Sequence, residues 1–205
     1  MLRSPNSLWV ILILIALLGL AACSTPQTTF EPKSDAAERT HAIYILLTIM
    51  ATLVGAGILG AMAYVIIRFR AKPGKAPSTT HGHVGLEILW TLLPAAVLVF
   101  IAVPSVMALA EEYRDPDAGA LKITATGHQW WWEFEYPDLG VVTANELHIP
   151  VNTSINLELR SQDVIHSFWV PKLAGKVDVV PNNDNSMWLV AREPDVFFGQ
   201  CAELC

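Results

Sequence analysis

Two apolar runs, each long enough to cross a bilayer, flank a short basic stretch, and this pattern limits the fold more than any other feature of the chain. Residues 41–67 form a 27-residue run whose only polar side chains are His41, Tyr44, Thr48, Thr52 and Tyr64. Leu86 to Ala110 forms a second run of 25 residues. At about 1.5 Å of rise per residue, either run exceeds a hydrocarbon layer of roughly 30 Å. Between them lie Arg68, Arg70, Lys72 and Lys75 with no acid, and Pro73, Gly74 and Pro77 interrupt helix there. The far ends carry mixed or negative charge, with Glu111, Glu112, Arg114, Asp115 and Asp117 after the second run. Positive loops stay inside. The pattern therefore predicts a transmembrane helical hairpin over 41–110, with a cytoplasmic loop at 68–85 and both ends outside. Gly55, Gly57 and Gly60 suit close approach of a neighbouring helix, or are filler tolerated in lipid.

The first residues agree with export. Met1 and Arg3 precede a 13-residue apolar stretch, Leu8 to Leu20, too short to span comfortably. Leu20-Ala21-Ala22-Cys23 then resembles a bacterial lipoprotein signal, with a plain secretory signal as the alternative. Residues 1–22 are read as a lipoprotein-type signal peptide, Cys23 as the lipidated mature N-terminus, and 23–40 as a periplasmic tether. The expected location is the bacterial cytoplasmic (inner) membrane, with both termini outside.

From residue 111 onward the composition is that of a water-exposed domain. Fifteen acids face six Lys or Arg, a formal charge of −9. That balance disfavours nucleic acid and favours a basic partner, unless it serves solubility alone. Hydropathy now alternates with period two in Leu121–Thr126, Glu146–Ile149, Ile155–Leu159 and Met187–Val190. Turn residues at Pro137-Asp138, Asn152 and Pro181-Asn182-Asn183 separate these segments. Short strands at this spacing predict a small β-sandwich or barrel over 111–205.

Three residues in this domain can bind a soft metal. Cys201 and Cys205 stand four apart, and His166 lies in Asp163-Val-Ile-His-Ser-Phe-Trp-Val-Pro171. Two thiolates and an imidazole suit copper better than a hard ion. Zinc takes the same ligand types, and a small disulfide loop is a third reading. Two thiolates on one tight loop can bridge two ions, and a bridged pair changes geometry little when an electron arrives. Glu87, one residue inside the second run, is either an interfacial acid or the mouth of a proton pathway. Gly127-His-Gln-Trp-Trp-Trp-Glu-Phe-Glu-Tyr136 carries three consecutive Trp. Side chains alternate faces along a strand, so at least one indole is expected near the surface.

Four segments together carry a family resemblance. His83-Val-Gly-Leu-Glu87-Ile-Leu-Trp-Thr91-Leu-Leu-Pro94, the aromatic segment 127–136, His166-Ser-Phe-Trp-Val-Pro171 and Cys201-Ala-Glu-Leu-Cys205 occur in the order found in subunit II of the haem–copper cytochrome c oxidases, which the chain resembles. The resemblance implies a membrane α-hairpin followed by an all-β, cupredoxin-like Greek-key domain holding a binuclear copper centre, CuA. It implies His166, Cys201 and Cys205 as copper ligands, with Glu203 contributing its backbone carbonyl and its side chain reaching a magnesium ion at the catalytic subunit. Trp130 is then the point where electrons arrive, Glu135 and Asp163 belong to an acidic docking face for cytochrome c, and Glu87 serves the mouth of a proton pathway. The implied partners are the haem-bearing subunit I and subunit III, a soluble or fused cytochrome, and the lipid bilayer. Oxygen reduction and proton translocation belong to the complex of this respiratory chain enzyme; no catalytic oxygen-reducing site is expected in this chain.

The sequence departs from that pattern in two places. The family continues past the second Cys with Gly, then a His and a Met that would fall beyond Cys205, so the sequence reads as truncated there. Asn182 replaces the Gly that commonly follows Pro181, and because Asn tolerates φ > 0 the turn is expected to survive. Two other functions compete. One is a copper-free quinol-oxidase-type subunit II with a structural role. The other is a membrane-anchored copper-binding lipoprotein that delivers metal.

Overall fold

The computed structural model describes residues 10–11, 26–70, 74 and 82–205. Cys23, expected to be lipidated, almost all of the expected signal segment 1–22 and most of the expected loop 68–85 lie outside the described residues. The chain divides into a helical unit, Arg39–Arg114, and a β unit in which Asp115–Cys205 are joined by the N-terminal residues through Glu38.

Helix α1 spans Asp35–Arg68 and helix α2 spans Val84–Glu112. Helix α1 begins six residues before the apolar run because a cap sets its start. Ser34 Oγ accepts from the Ala37 N–H at 3.0 Å, and Asp35 and Glu38 place negative charge on the first turn. Helix α2 begins after His83, whose Nδ1 accepts from the Leu86 N–H at 3.2 Å, and it contains Pro94 and Pro104. Arg39 donates to Glu112 at 3.1 Å and so joins the start of one helix to the end of the other. No residue of α2 is buried, and Ile67, Phe100 and Met107 are among many exposed large apolar side chains. Helices this long and this apolar on all sides match a membrane, not water. Leu46 and the Leu92–Pro104 face of α2 line an apolar groove of 1020 Å³. The glycines of α1 do not serve contact between the two helices: a Cβ added at Gly55, Gly57 or Gly60 would meet nothing within 4 Å.

The β unit is a two-sheet sandwich. The strands are β1 Leu121–His128, β2 Trp131–Tyr136, β3 Val141–Ala144, β4 Ile155–Ser161, β5 His166–Trp169, β6 Val177–Val179, β7 Asn185–Leu189 and β8 Gln200–Cys201. One sheet has the order β3-β2-β1-β4-β7 and the other β6-β5-β8. Strands β1 and β4 are parallel while every other pair is antiparallel, as suits the expected cupredoxin-like sandwich. Period two sets the register. Ile155, Leu157 and Leu159 are fully buried, while Asn156, Glu158 and Arg160 alternate outward. Each such aliphatic side chain stabilises the fold by about 1.5–3 kcal/mol. Phe134, Phe168, Val179 and Leu189 complete the core from both sheets.

The expected strand at Glu146–Ile149 does not form. Tyr136 explains this. Its hydroxyl accepts from the His148 N–H at 2.7 Å and donates to the His148 carbonyl at 3.1 Å, so a side chain satisfies the backbone that a ladder would have paired. Asn182 has φ 60°, as the Pro181-Asn182 turn requires. The segment before α1 is docked rather than free. The Lys33 N–H donates to Lys172 O at 2.8 Å, the Arg192 N–H donates to Lys33 O, and Ser34 is buried with its hydroxyl on the Leu173 carbonyl. Glu31–Lys172, Lys33–Glu193 and Arg192 with Asp35 and Glu38 add ion pairs.

Candidate metal centre

His166, Cys201 and Cys205 come together at one end of the sandwich. One donor atom from each lies within 4.8 Å of the others, and this is the one such group among the described residues. Cys201 Sγ is 3.9 Å from His166 Nδ1 and 3.7 Å from Cys205 Sγ. The sheet dictates this meeting. Strand β5 starts on His166 and pairs with β8, setting Phe168 opposite Cys201. The Ala202 N–H donates to Ser167 O at 2.9 Å and holds the first turn of the cysteine loop against β5.

His166 is 2% exposed and its orientation is fixed. Nε2 lies 2.7 Å from Asp163 Oδ1. Asp163 is held at about 2, chiefly by that hydrogen bond, with help from the Val164 and Gln129 backbone N–H groups against the opposing effect of burial. An ionised carboxylate only accepts, so the ring proton sits on Nε2 and Nδ1 is left as the lone-pair nitrogen facing the sulfurs. A carboxylate behind a ligating imidazole fixes tautomer and ring orientation in metal sites. Trp132 meets the His166 ring edge-on at 5.8 Å and Phe168 at 5.2 Å, closing the core side with apolar surface. Gly127 makes room for the ring: a Cβ there would lie 2.7 Å from His166 Cδ2.

The two thiols differ. Burial pushes Cys201 up, but hydrogen bonding to the Ser167 and Glu203 backbone, and then the neighbouring His166 and Cys205 side chains, outweigh it and the net shift is down. Cys205 is pushed up, first by its hydrogen bond with Cys201, then by burial and by the charge on Cys201. Cys201 is therefore the first thiolate, and a bound cation would displace the proton held on Cys205. The cysteines are free thiols in this structure, not a disulfide. The donor set fits a soft or borderline metal, and the Glu203 carbonyl lies 3.8 Å from Cys201 Sγ.

The other expected residues sit as follows. Trp130 is 80% exposed, while Trp131 stacks on His128 with ring centroids 4.4 Å apart and Trp132 packs against the core. One of the three indoles thus faces solvent as expected, but from the turn between β1 and β2, so the turn and not strand alternation exposes it. Glu135 is exposed on β2 opposite Val142 and takes no part in the metal centre. Glu203 is exposed, and its Oε1 accepts from the Leu204 N–H at 3.0 Å. Glu87 belongs to the helical unit, exposed in the first turn of α2. Sequence reasoning placed Asp163 on a docking face and missed its hold on His166; the i,i+3 spacing of an Asp before a candidate ligand was the available signal. It also passed over Gly127 and Gln129, which lie inside the aromatic segment but contact the metal centre.

Two domain families match the chain. Residues 23–108 match "Cytochrome C oxidase subunit II, transmembrane domain", and residues 140–205 match "Cytochrome C oxidase subunit II, periplasmic domain". Cytochrome c oxidase subunit 2 of Alkalihalophilus pseudofirmus is 41% identical over 87% of this chain and 54% of its own length. The probable cytochrome c oxidase subunit 2 of Rickettsia bellii is 32% identical over 87% of this chain and 74% of its own length. The chain thus spans about half the length of the first of these relatives. Among solved structures, the periplasmic domain of subunit II of cytochrome oxidase from Bradyrhizobium japonicum is 36% identical, covering 44% of this chain and 76% of that one, with a TM-score of 0.42.

Proposed function

The chain belongs to the cytochrome c oxidase subunit II family, and from that premise we propose that it is the electron-accepting subunit of a respiratory terminal oxidase. The observation that carries the proposal is the convergence of His166, Cys201 and Cys205 donor atoms within 4.8 Å. A copper pair bound there would supply one-electron chemistry, taking electrons singly from cytochrome c and passing them to haem in the catalytic subunit. The chain's own residues prepare the place for it. Asp163 holds His166 so that Nδ1 is presented. Cys201, the thiol shifted down, is the readier of the two to bind as a thiolate, and Cys205 would give up its proton on binding. Trp132 and Phe168 keep water from the core side of the ring, and the β5–β8 pairing holds the ligands on rigid backbone, which limits rearrangement when charge changes.

Other roles complete the proposal. Trp130, exposed beside the metal centre, is the contact through which electrons arrive. Glu135 and the exposed part of Asp163 contribute to an acidic surface that suits a basic cytochrome c. Glu203 would supply one oxygen to a magnesium ion shared with the catalytic subunit. Glu87 would serve the mouth of a proton pathway completed by that subunit. The hairpin 41–110 would place the β unit, 111–205, outside the bacterial inner membrane, with Cys23 as a lipid anchor. The whole complex would reduce oxygen and translocate protons together with subunits I and III.

The test replaces Cys201 with Ser in the complete protein within its complex. Loss of copper together with loss of cytochrome c oxidation is expected. Full copper content in Cys201→Ser would overturn the ligand assignment.

A further inference from the structure

We propose that Gln129 is a positioning residue for the metal centre, because it ties the carboxylate that orients His166 to the main chain that carries Cys205. This rests on the metal-site reading above and adds a residue to it. The Gln129 backbone N–H donates to Asp163 Oδ2 at 2.7 Å, while Asp163 Oδ1 holds His166 Nε2 at 2.7 Å. The Gln129 side-chain Nε2 donates to the Cys205 carbonyl at 2.8 Å. One residue therefore fixes the carboxylate that orients the imidazole and the main chain that carries the second thiol.

Few other bonds hold the cysteine loop among the described residues. Strand β8 is two residues long, and its ladder to β5 ends with the Ala202 N–H on Ser167 O. Beyond that point the loop's own bonds are local: Cys205 N–H to Glu203 O at 3.1 Å and Leu204 N–H to Glu203 Oε1 at 3.0 Å. Leu204 is 99% exposed and contributes no packing. Among the described residues, the hydrogen bond that reaches Cys205 from a distant part of the chain is that of Gln129. Cys201 is held by the sheet, and the Cys205 main chain by Gln129, among the described residues. Strand β1, which ends at His128 just before Gln129, is itself held to the Asp163 loop, since the Gln162 N–H donates to Gly127 O at 3.0 Å. The aromatic segment is thus more than a solvent-facing contact around Trp130, for its first residues are part of the metal-site scaffold.

The experiment uses the complete protein with Gln129→Met, which keeps length and the backbone N–H and removes the side-chain donor. Copper release to a chelator should be roughly tenfold faster than in the wild type, the lower end of the usual effect of losing a group that supports metal ligands. The electron spin resonance hyperfine pattern should change as Cys205 shifts. In the metal-free protein, amide hydrogen exchange over residues 201–205 should also rise, by about 2–10-fold for one hydrogen bond. Unchanged copper release and spectrum, with or without a higher KM for cytochrome c, would show that Gln129 acts only at the surface and would overturn the inference. If the wild type itself takes up no copper, the proposed function fails, and the exchange measurement still decides the position of Gln129: unchanged exchange overturns it. Should Gln129→Met fail to fold, Gln129→Asn, with the donor one carbon short, is read by the same measurements.

Discussion

Gly127→Ala adds a single methyl group, and the structure says what it would strike. The new Cβ would lie 2.7 Å from His166 Cδ2, 2.9 Å from Cγ and 3.2 Å from Cβ. These are atoms at the root of the ring, not the tip of a flexible chain. The ring is 2% exposed and tied to Asp163 at 2.7 Å, so it cannot swing away without giving up that bond. Overpacking of this kind costs about 1–3 kcal/mol, while replacing a strand glycine by alanine returns about 0.5–1 kcal/mol. The net loss is at most about 2.5 kcal/mol and centres on about 1 kcal/mol. Chemical denaturation of the β unit should show it as a lower midpoint, and copper retention should fall with it as Nδ1 leaves its position 3.9 Å from Cys201 Sγ. Gly175→Ala is the control, since a Cβ there meets nothing within 4 Å and φ is not positive. It should be neutral or stabilising by up to about 1 kcal/mol. Gly127→Ala with wild-type stability and wild-type copper retention would refute the close fit of ring and strand.

Further tests address other parts of the account. Asp163→Asn should weaken copper retention roughly 10–100-fold in chelator competition, because the amide loses the charge that holds the Nε2 proton and presents an N–H₂ to the Gln129 N–H; an unchanged chelator titration would contradict this. Trp130→Ala should reduce cytochrome c turnover at least about tenfold while copper content stays whole, since the indole is 80% exposed. Loss of copper in that variant would place Trp130 in the scaffold instead. The docked segment before α1 should loosen at both pH extremes. Glu31 lies below its ordinary 4.5, first because of its hydrogen bond with Lys172, so its contribution is complete above 4.5 and is lost as pH falls through the lowered value. Lys33 lies above its ordinary 10.5, first because of its hydrogen bond with Glu193, so its contribution is complete below 10.5 and is lost as pH rises through the raised value. Protection from amide exchange over residues 28–38, relative to the intrinsic rate at each pH, should therefore fall as pH drops below 4.5, and in high salt at neutral pH, because these pairs are exposed; protection indifferent to both would show that backbone docking alone holds the segment.

Long-period signals were legible in the sequence, and local exceptions were not. The two apolar runs marked α1 and α2, but the start of α1 moved to Asp35 because the Ser34 cap acts through one hydroxyl that hydropathy does not register. Alternation marked β4 and β7 correctly. The same alternation at Glu146–Ile149 misled, because Tyr136, ten or more residues away, takes the His148 backbone that a strand would have paired. The three candidate ligands were visible as residue types, and the structure brings all three together. What surrounds them depends on three separate segments meeting, at residues 127–132, 161–168 and 200–205. No spacing rule shows that Gln129 reaches Cys205 or that Gly127 lies beneath the His166 ring.

The central claim is that His166, Cys201 and Cys205 hold a copper pair. Metal analysis and electron spin resonance of the complete protein, purified from membranes, test it most directly. The account predicts about two copper ions per chain and hyperfine splitting from an electron shared between two nuclei, as thiolate bridging allows. A fully folded protein that carries no copper, or zinc in its place, would contradict it.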